Sequence, residues 1–368
     1  MSDIFVPESH SWVPRPRFNT VMIGLAACLV LLFALREFAS VIGPTFLALN
    51  LMITIYPMHT WMVRKGTPSW LSAVIITLSV YAILLAIVIG MIWSITEMID
   101  ILPRYASQFS VMYQQVIDLS ARLGLDSSAF NQFISTFDPS RLLGAATTAA
   151  TSLLTGASGT VGVITVILAA IIFMAMDTPA MERRLRLLEE ERPRMLEGFL
   201  IFARGVRRYW AVTTIFGLIV AILDGIAVAA MGVPLALVWA LFSFLTNYIP
   251  NIGFVIGLVP PALVALFANG WQTAVAVIVI YSVLNFVVQS IIQPRFTGES
   301  VGITPTISFI SLLLWTGVIG ALGTLLALPL TLLCKSLLVD IDPDAKWIDS
   351  MISSDLKGME AEAEGLRD

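Results

Sequence analysis

Apolar positions along the chain fall into long uninterrupted blocks. The first strong block is about Val21–Leu35 and follows a polar stretch containing Arg15 and Arg17. A second, about Phe38–Val63, ends at Arg64 and Lys65, and a third covers about Trp70–Thr96. A hydrocarbon core roughly 30 Å thick needs about 20 apolar residues in a helix, so these blocks predict membrane spans. No small-residue cleavage site follows the first block and a second starts almost at once. It therefore reads as an uncleaved helix rather than a signal peptide.

Residues 97–150 break the pattern. Pro103 and Pro139 appear, with five carboxylates: Glu97, Asp100, Asp118, Asp126 and Asp138. Met112, Val116, Leu119 and Leu123 recur at helical spacing, and Phe130, Phe133, Ile134 and Phe137 continue the series. Amphipathic helices are expected here, lying on the membrane or packed over the rest of the protein. A helical lid with no part in handling a substrate fits the same pattern.

A fourth span is expected over 151–176, starting near Thr160, with Gly156, Gly159 and Gly162 forming a small-residue face for close packing. Residues 177–210 then hold eight of the 17 arginines. Their interleaving with Glu182, Glu189, Glu190, Glu191 and Glu197 suits salt-bridged helices better than a nucleic-acid surface. A fifth span is about Ala211–Met231. Arg15/Arg17, Arg64/Lys65 and the arginine-rich segment all fall on one side of these spans. The positive-inside rule makes that side, and the N-terminus, cytoplasmic, and it puts 97–150 outside.

The region 211–338 carries almost no charge. No Asp, Glu, Lys or Arg occurs from Gly225 to Pro294 or from Ser300 to Cys334, and only Arg295 and Glu299 interrupt. Two runs here exceed one crossing: Leu235–Ala268 and Thr304–Leu338 are 34 and 35 residues long. As straight helices they would measure about 51–53 Å. Both are punctuated near the middle, by Asn247-Tyr248-Ile249-Pro250-Asn251-Ile252-Gly253 and by Thr316-Gly317-Val318-Ile319-Gly320. Proline removes a backbone donor and glycine admits positive φ. Such breaks survive in a membrane only where protein or a water-lined cavity satisfies the freed groups.

Each run is therefore expected to be a re-entrant hairpin with its tip near the midplane, in inverted topology, with one full span about Trp271–Ile292 between them. A loose repeat supports this: Pro234…Ile252-Gly253…Pro260 against Pro305…Ile319-Gly320…Pro329. Paired broken segments point to a transporter's substrate site. The competing arrangement makes each run one kinked span, for eight in all. The two disagree on the side of Arg295–Ser300: the hairpins put it in the cytoplasm, the eight spans outside. Both leave the acidic tail, 339–368, in the cytoplasm.

Composition agrees with a membrane protein. The chain is 58% hydrophobic and 12% charged, with a mean hydropathy of +0.89. Soluble domains carry roughly 25% charged residues. A net charge of −4 gives no basic footprint for nucleic acid. Cys28 and Cys334 each lie in an apolar run, so neither a disulfide framework nor a structural zinc site is expected. Hydrolase and metalloprotease motifs are missing, and so is a phosphate-binding loop. The chain is not read as an enzyme, no cofactor or metal is expected, and transport here would not run on ATP hydrolysis by this polypeptide.

Several residues stand out by type. Asp224 lies inside the fifth span, where an ionised carboxylate costs about 2.5–3.5 kcal/mol on insertion scales. It is a candidate proton or cation relay, or a carboxylate bonded to neighbouring hydroxyls. Asn285, Gln289 and Gln293 share a helix face at i, i+4, i+8. Packing is the better account of Asn285 and Gln289. The residues at the chain breaks are candidates for substrate binding or for building the hairpin tips: Asn247, Pro250, Asn251, Gly253, Gln293, Pro294, Pro305, Thr316, Gly317 and Gly320. Arg295 and Glu299 mark the membrane boundary and are candidates for gating. His59 and the two cysteines read as packing residues.

The stretch from Asn247 to Gly253 with Pro260-Pro261, the stretch Gln293-Pro294-Arg295-Phe296-Thr297-Gly298-Glu299-Ser300-Val301-Gly302…Pro305, and Gly317…Gly320…Pro329 together resemble the autoinducer-2 exporter family of permeases. The order of spans resembles that family over nearly the whole chain. The resemblance implies an all-α polytopic protein of the bacterial inner membrane that forms homo-oligomers. It implies a secondary transporter of a small polar organic solute, autoinducer-2 first, or a sodium/proton antiporter. A mobile element would carry the substrate. A passive channel or a non-transporting membrane scaffold is the alternative from a different class.

Overall fold

The computed structural model describes residues 18–122, 138–249, 252–293 and 303–342, with Ala345 and Ile348. Pro250, Asn251, Pro294, Arg295 and Glu299 lie outside the described residues, as do Leu123, Phe130, Phe133, Ile134 and Phe137.

Every element found is a helix. α1 (Phe18–Glu37), α2 (Ala39–Arg64) and α3 (Ser69–Ile101) come first, then α4 (Ala106–Arg122) and the long α5 (Pro139–Glu191) and α6 (Pro193–Ala230). α7 (Ala236–Thr246), α8 (Gly253–Asn269), α9 (Trp271–Asn285), α10 (Pro305–Ile319) and α11 (Ala321–Lys335) follow. α9 continues as a π-helix, Phe286–Ile292, and α11 as another, Ser336–Asp340. Among the described residues five helices are long and apolar enough to cross a membrane, or six if the bent α5 counts as one span.

Local chemistry sets the ends. Asp138 caps α5, accepting from the backbone N–H of Ser140 at 2.8 Å, with Pro139 in the first turn where its missing donor costs nothing. The Ser140 hydroxyl also donates to Asp138, and these bonds hold its carboxyl below the usual carboxylate range. Thr304 caps α10 ahead of Pro305 in the same way. Pro193 separates α5 from α6 because it has no N–H to continue the ladder. Inside α5, the segments Gly162–Thr178 and Arg183–Glu191 meet at 73°. The apolar half is thus turned sharply from the arginine-rich half.

The two helices around that bend run further than the hydropathy blocks indicate. α5 starts at Pro139, and α6 runs without a break from the arginine-rich stretch to Ala230. Gly162 has open space around it, so it does not make the close helix contact expected there. α4 packs against α5 and α8, and so lies over the first broken run.

Both long apolar runs double back. A Cβ on Gly253 would lie 1.9 Å from the carbonyl oxygen of Thr246, and one on Gly257 would lie 2.7 Å from Oγ1 of Thr246. α8 therefore returns along α7. Gly320 has φ +74°, and beyond it a Cβ on Gly323 would lie 1.9 Å from the carbonyl oxygen of Trp315. α11 therefore returns along α10. At 1.5 Å per residue, α7, α8 and α10 reach only about 16, 25 and 22 Å, short of a roughly 30 Å hydrocarbon core. The glycine that closes the second hairpin is Gly323. Gly320, the partner of Gly253 in the sequence repeat, supplies the turn instead.

α6 is the spine between the hairpins. Its Gly217 and Gly225 admit Asn247 and Ala240 of the first hairpin, and its Gly205 admits Leu332 of the second. One apolar cluster joins α2, α5, α6, α10 and α11 around Phe46, Ile171, Val206, Trp315 and Leu326. Another joins α6 to α9 around Val228, Trp239, Val264 and Tyr281. Outward faces stay apolar and open: on α1, Leu29 is 67% and Phe33 65% exposed. Surfaces like this suit lipid or another copy better than water.

Candidate functional site

α6 carries Asp224 into the interior, where it is fully buried. The Oγ of Ser243, on α7, donates to its Oδ2 at 2.6 Å. Its Oδ1 has no hydrogen-bond partner. Tyr281 and Asn285, on α9, are the polar side chains beside the carboxylate. The hydroxyl of Tyr281 is buried without a partner as well. Asp224 is thus buried and bonded to a neighbouring hydroxyl, with the neutral side chains of Asn285 and Tyr281 beside it.

A chain of amides continues toward the break in the first run. Asn285 donates to the backbone oxygen of Tyr281 at 2.9 Å. Gln289 uses its two amide hydrogens separately, on Oδ1 of Asn285 and on Oδ1 of Asn247, both at 2.8 Å. The spacing of Asn285 and Gln289 does put them on one face, and that face makes a helix-to-helix contact by hydrogen bonding to the first hairpin. The π-helical turn that begins at Phe286 holds Gln289. Such insertions recur at functional sites because they loosen the regular ladder. Asn247 itself packs into the space left by Gly217.

Beside Asn247 stands an aromatic wall. The hydroxyls of Tyr248 and Thr214 pair at 2.9 Å. The Tyr248 ring lies 5.7 Å from Trp210 and 5.4 Å from Phe244, and Trp210 meets Tyr209 edge-on at 5.7 Å. Trp210 Nε1 is a buried donor without a partner, and the buried Tyr209 hydroxyl has only Thr213 beside it. Asn50, fully buried on α2, likewise leaves Oδ1 unpaired. Buried polar groups are ordinarily hydrogen-bonded, so the unpaired Trp210 Nε1, whose ring meets Tyr248 at the first break, is what a polar solute could satisfy.

The second hairpin brings its own hydroxyls. Ser311 donates to the backbone oxygen of Ala327 at 2.9 Å and pairs with Thr331, to which Trp315 Nε1 also donates at 3.0 Å. Thr316 and Thr324 pair at 2.9 Å across the turn at Gly320. Gly317 faces open space and Pro305 stands in the first turn of α10. Tyr248 and Ile249 from the first tip, and Val318 and Leu322 from the second, all pack against the same apolar cluster. The sequence candidates Asn247, Gly253, Thr316, Gly317 and Gly320 therefore sit at the two tips, while Gln293 ends the π-helix.

Sequence reading passed over Ser243, Tyr281, Thr214, Tyr209, Trp210 and Tyr248. The hydroxyls and aromatic rings look like ordinary span residues until the helices are packed, and only Tyr248 lay inside a punctuated stretch. His59 is half-buried, stacks on Tyr56 at 6.1 Å and bonds through neither ring nitrogen. Among the described residues no three of His, Cys, Asp and Glu come together as a metal site would require.

Residues 22–341, which run from within α1 to past the end of α11, match the AI-2E family transporter profile. The chain belongs to the AI-2E transporter family. It is 30% identical over 319 residues to the AI-2 transport protein TqsA of Escherichia coli (strain K12), covering 86% of this chain and 90% of that relative. It is 29% identical over 315 residues to a second protein of that strain, named "Putative transport protein YhhT", covering 86% of this chain and 89% of the relative. A relative from Haemophilus influenzae is 28% identical over 338 residues, 89% of this chain. Family membership and the apolar helices make this AI-2E member a multi-pass membrane transport protein.

Proposed function

We propose that the protein is a secondary transporter of a small polar organic solute, bound between the two hairpin tips and carried by alternating access. The observation that supports this most is that both tips pack against one extended apolar cluster, with amides and phenols beside the first. Helices too short to cross, closed back on themselves, suit re-entrant hairpins whose tips lie near the midplane. Autoinducer-2 is the first solute to test, because TqsA carries that name. A polyhydroxylated furanone fits a wall of Trp210, Tyr209 and Tyr248 beside Asn247: the rings cover its carbon face and the polar atoms meet its hydroxyls. The same reading makes it an exporter of the inner membrane with both termini cytoplasmic and a homo-oligomer whose copies or lipid cover α1.

The purified protein is reconstituted into proteoliposomes loaded with unlabelled autoinducer-2, and entry of labelled autoinducer-2 is followed. Saturable uptake accelerated by the internal solute supports a carrier. Unsaturable equilibration indicates a channel, and no entry of this or related solutes indicates a scaffold. A sodium/proton antiporter is the second reading, favoured by the burial of Asp224. It is recognised by sodium-driven pH change without any organic solute.

A further inference from the structure

We infer that Asp224 is the proton-coupling site, with the proton resting on Oδ1 and Ser243 linking its exchange to the first hairpin. The inference rests on the transporter reading, and it adds what drives the cycle.

The geometry makes the case. Asp224 is 0% exposed, with Oδ2 held by Ser243 and Oδ1 unpaired. An ionised carboxylate would leave a buried charge with only the neutral side chains of Ser243, Asn285 and Tyr281 around it and no full hydrogen bond to Oδ1, which costs far more than a neutral acid. Among the described residues no cation is positioned to compensate. α7, α8 and α9 contain no Lys, Arg, His, Asp or Glu, and the only titratable group facing Asp224 from them is Tyr281. On α6 the nearest charged side chain is Arg208, over four turns away. α3 touches α7 where Gly90 meets Leu241, and its Tyr81, Glu97 and Asp100 lie elsewhere along it, Tyr81 bonded to the backbone of Leu168.

The oxygen count favours a proton over a metal ion. A sodium ion needs a shell of several oxygens, and beside the carboxylate stand only the Ser243 hydroxyl, which already donates, the Asn285 amide oxygen, which already accepts from Gln289, and the Tyr281 hydroxyl. A proton needs one free oxygen, which Oδ1 provides. The proton comes from water on one side and returns to water on the other, with no bond in the protein made or broken besides O–H.

Coupling follows from where Ser243 stands. It lies on the first arm of the hairpin, four residues before Asn247. A hydroxyl bonded to a carboxylate is held about twice as strongly as one bonded to a neutral acid. Losing the proton therefore tightens α7 onto α6, and gaining it loosens the arm that carries the tip.

The test uses the full-length protein in proteoliposomes, in two arms. In the infrared arm, difference spectra between acidic and basic buffers show the carbonyl stretch of one buried protonated carboxylic acid in the wild type. The band is lost in Asp224→Asn, and its pH midpoint moves in Ser243→Ala, which keeps the acid. A band unaffected by Asp224→Asn, a midpoint unmoved by Ser243→Ala, or a band that follows sodium at fixed pH overturns the inference. In the transport arm, an acid-inside gradient of one pH unit drives autoinducer-2 inward as protons leave, to at most about tenfold for one-to-one exchange. Accumulation that survives Asp224→Asn overturns the inference while leaving the transporter reading intact. A pH-titrating band with no autoinducer-2 movement in the wild type sinks the solute and keeps the proton site.

Discussion

Gln289 donates through Nε2 to Oδ1 of Asn247 at 2.8 Å, joining residues 42 apart in the chain. The bond fastens the tip of the first hairpin to the π-helical end of α9. Interhelical hydrogen bonds of this kind contribute about 0.6 kcal/mol on average and up to nearly 2. Gln289→Leu and Asn247→Ala are each expected to lower stability by that order in detergent unfolding. The double variant should lose less than the sum of the two, because both remove the same bond. Additive losses would show that the amides act separately.

Gly253 and Gly323 close the two hairpins, each with room for no Cβ against the opposite arm's carbonyl oxygen. Gly253→Ala and Gly323→Ala should therefore destabilise by about 1–3 kcal/mol or more, as overpacking does. Gly317→Ala meets nothing within 4 Å and should stay within about 0.5 kcal/mol of the wild type. Thermal unfolding followed by size-exclusion chromatography separates the three. Equal behaviour of all three would mean that the arms do not pack this closely.

The side of the membrane on which position 298 lies distinguishes hairpins from simple spans. With Cys28 and Cys334 replaced, Gly298→Cys should react with an impermeant thiol reagent in inside-out vesicles and not in right-side-out ones. Labelling from outside would overturn the hairpins in favour of eight simple spans.

Asp138 gives a pH dependence outside the spans. Its carboxyl is held low first by the Ser140 hydroxyl, then by the Ser140 N–H. A folded-state value below the unfolded one, about 3.9, means the cap contributes fully above that pH. The contribution is lost as pH falls through the lower folded value. Amide exchange at Ser140 and Arg141 should accelerate only in that acidic window, and in Asp138→Ala it should be fast throughout. Protection that persists in Asp138→Ala would remove the cap from the account.

The charge-free runs, their breaks at Asn247–Gly253 and Gly320, and the shared face of Asn285 and Gln289 are all legible in the sequence. They are local: a helix stops where proline or positive φ stops it, and side chains four apart align. Which groups meet across the fold is not local. Nothing near Asp224 in sequence points to Ser243, and nothing near Gln289 points to Asn247. The choice of Gly323 over Gly320 as the packing glycine depends on how far the turn carries the chain before the arms touch. The extent of α5 and α6 beyond the apolar blocks was hidden too, because hydropathy reports the solvent a helix meets and not where its hydrogen bonds end.

The two hairpins differ in how they keep their polar groups satisfied. Ser311, Trp315, Thr316, Thr324 and Thr331 all find their partners inside the second hairpin. Asn247, Tyr248 and Ser243 of the first find theirs on α6 and α9. A rigid shift of the second hairpin against its neighbours would leave its own side-chain bonds whole and break the single one that the Ser336 hydroxyl, past the end of α11, donates to the backbone oxygen of Gly198 on α6. The same shift of the first would break three bonds at once. One hairpin is thus moored to the spine by a single hydroxyl at its far end, and the other is a latch held at its tip whose release needs a chemical signal.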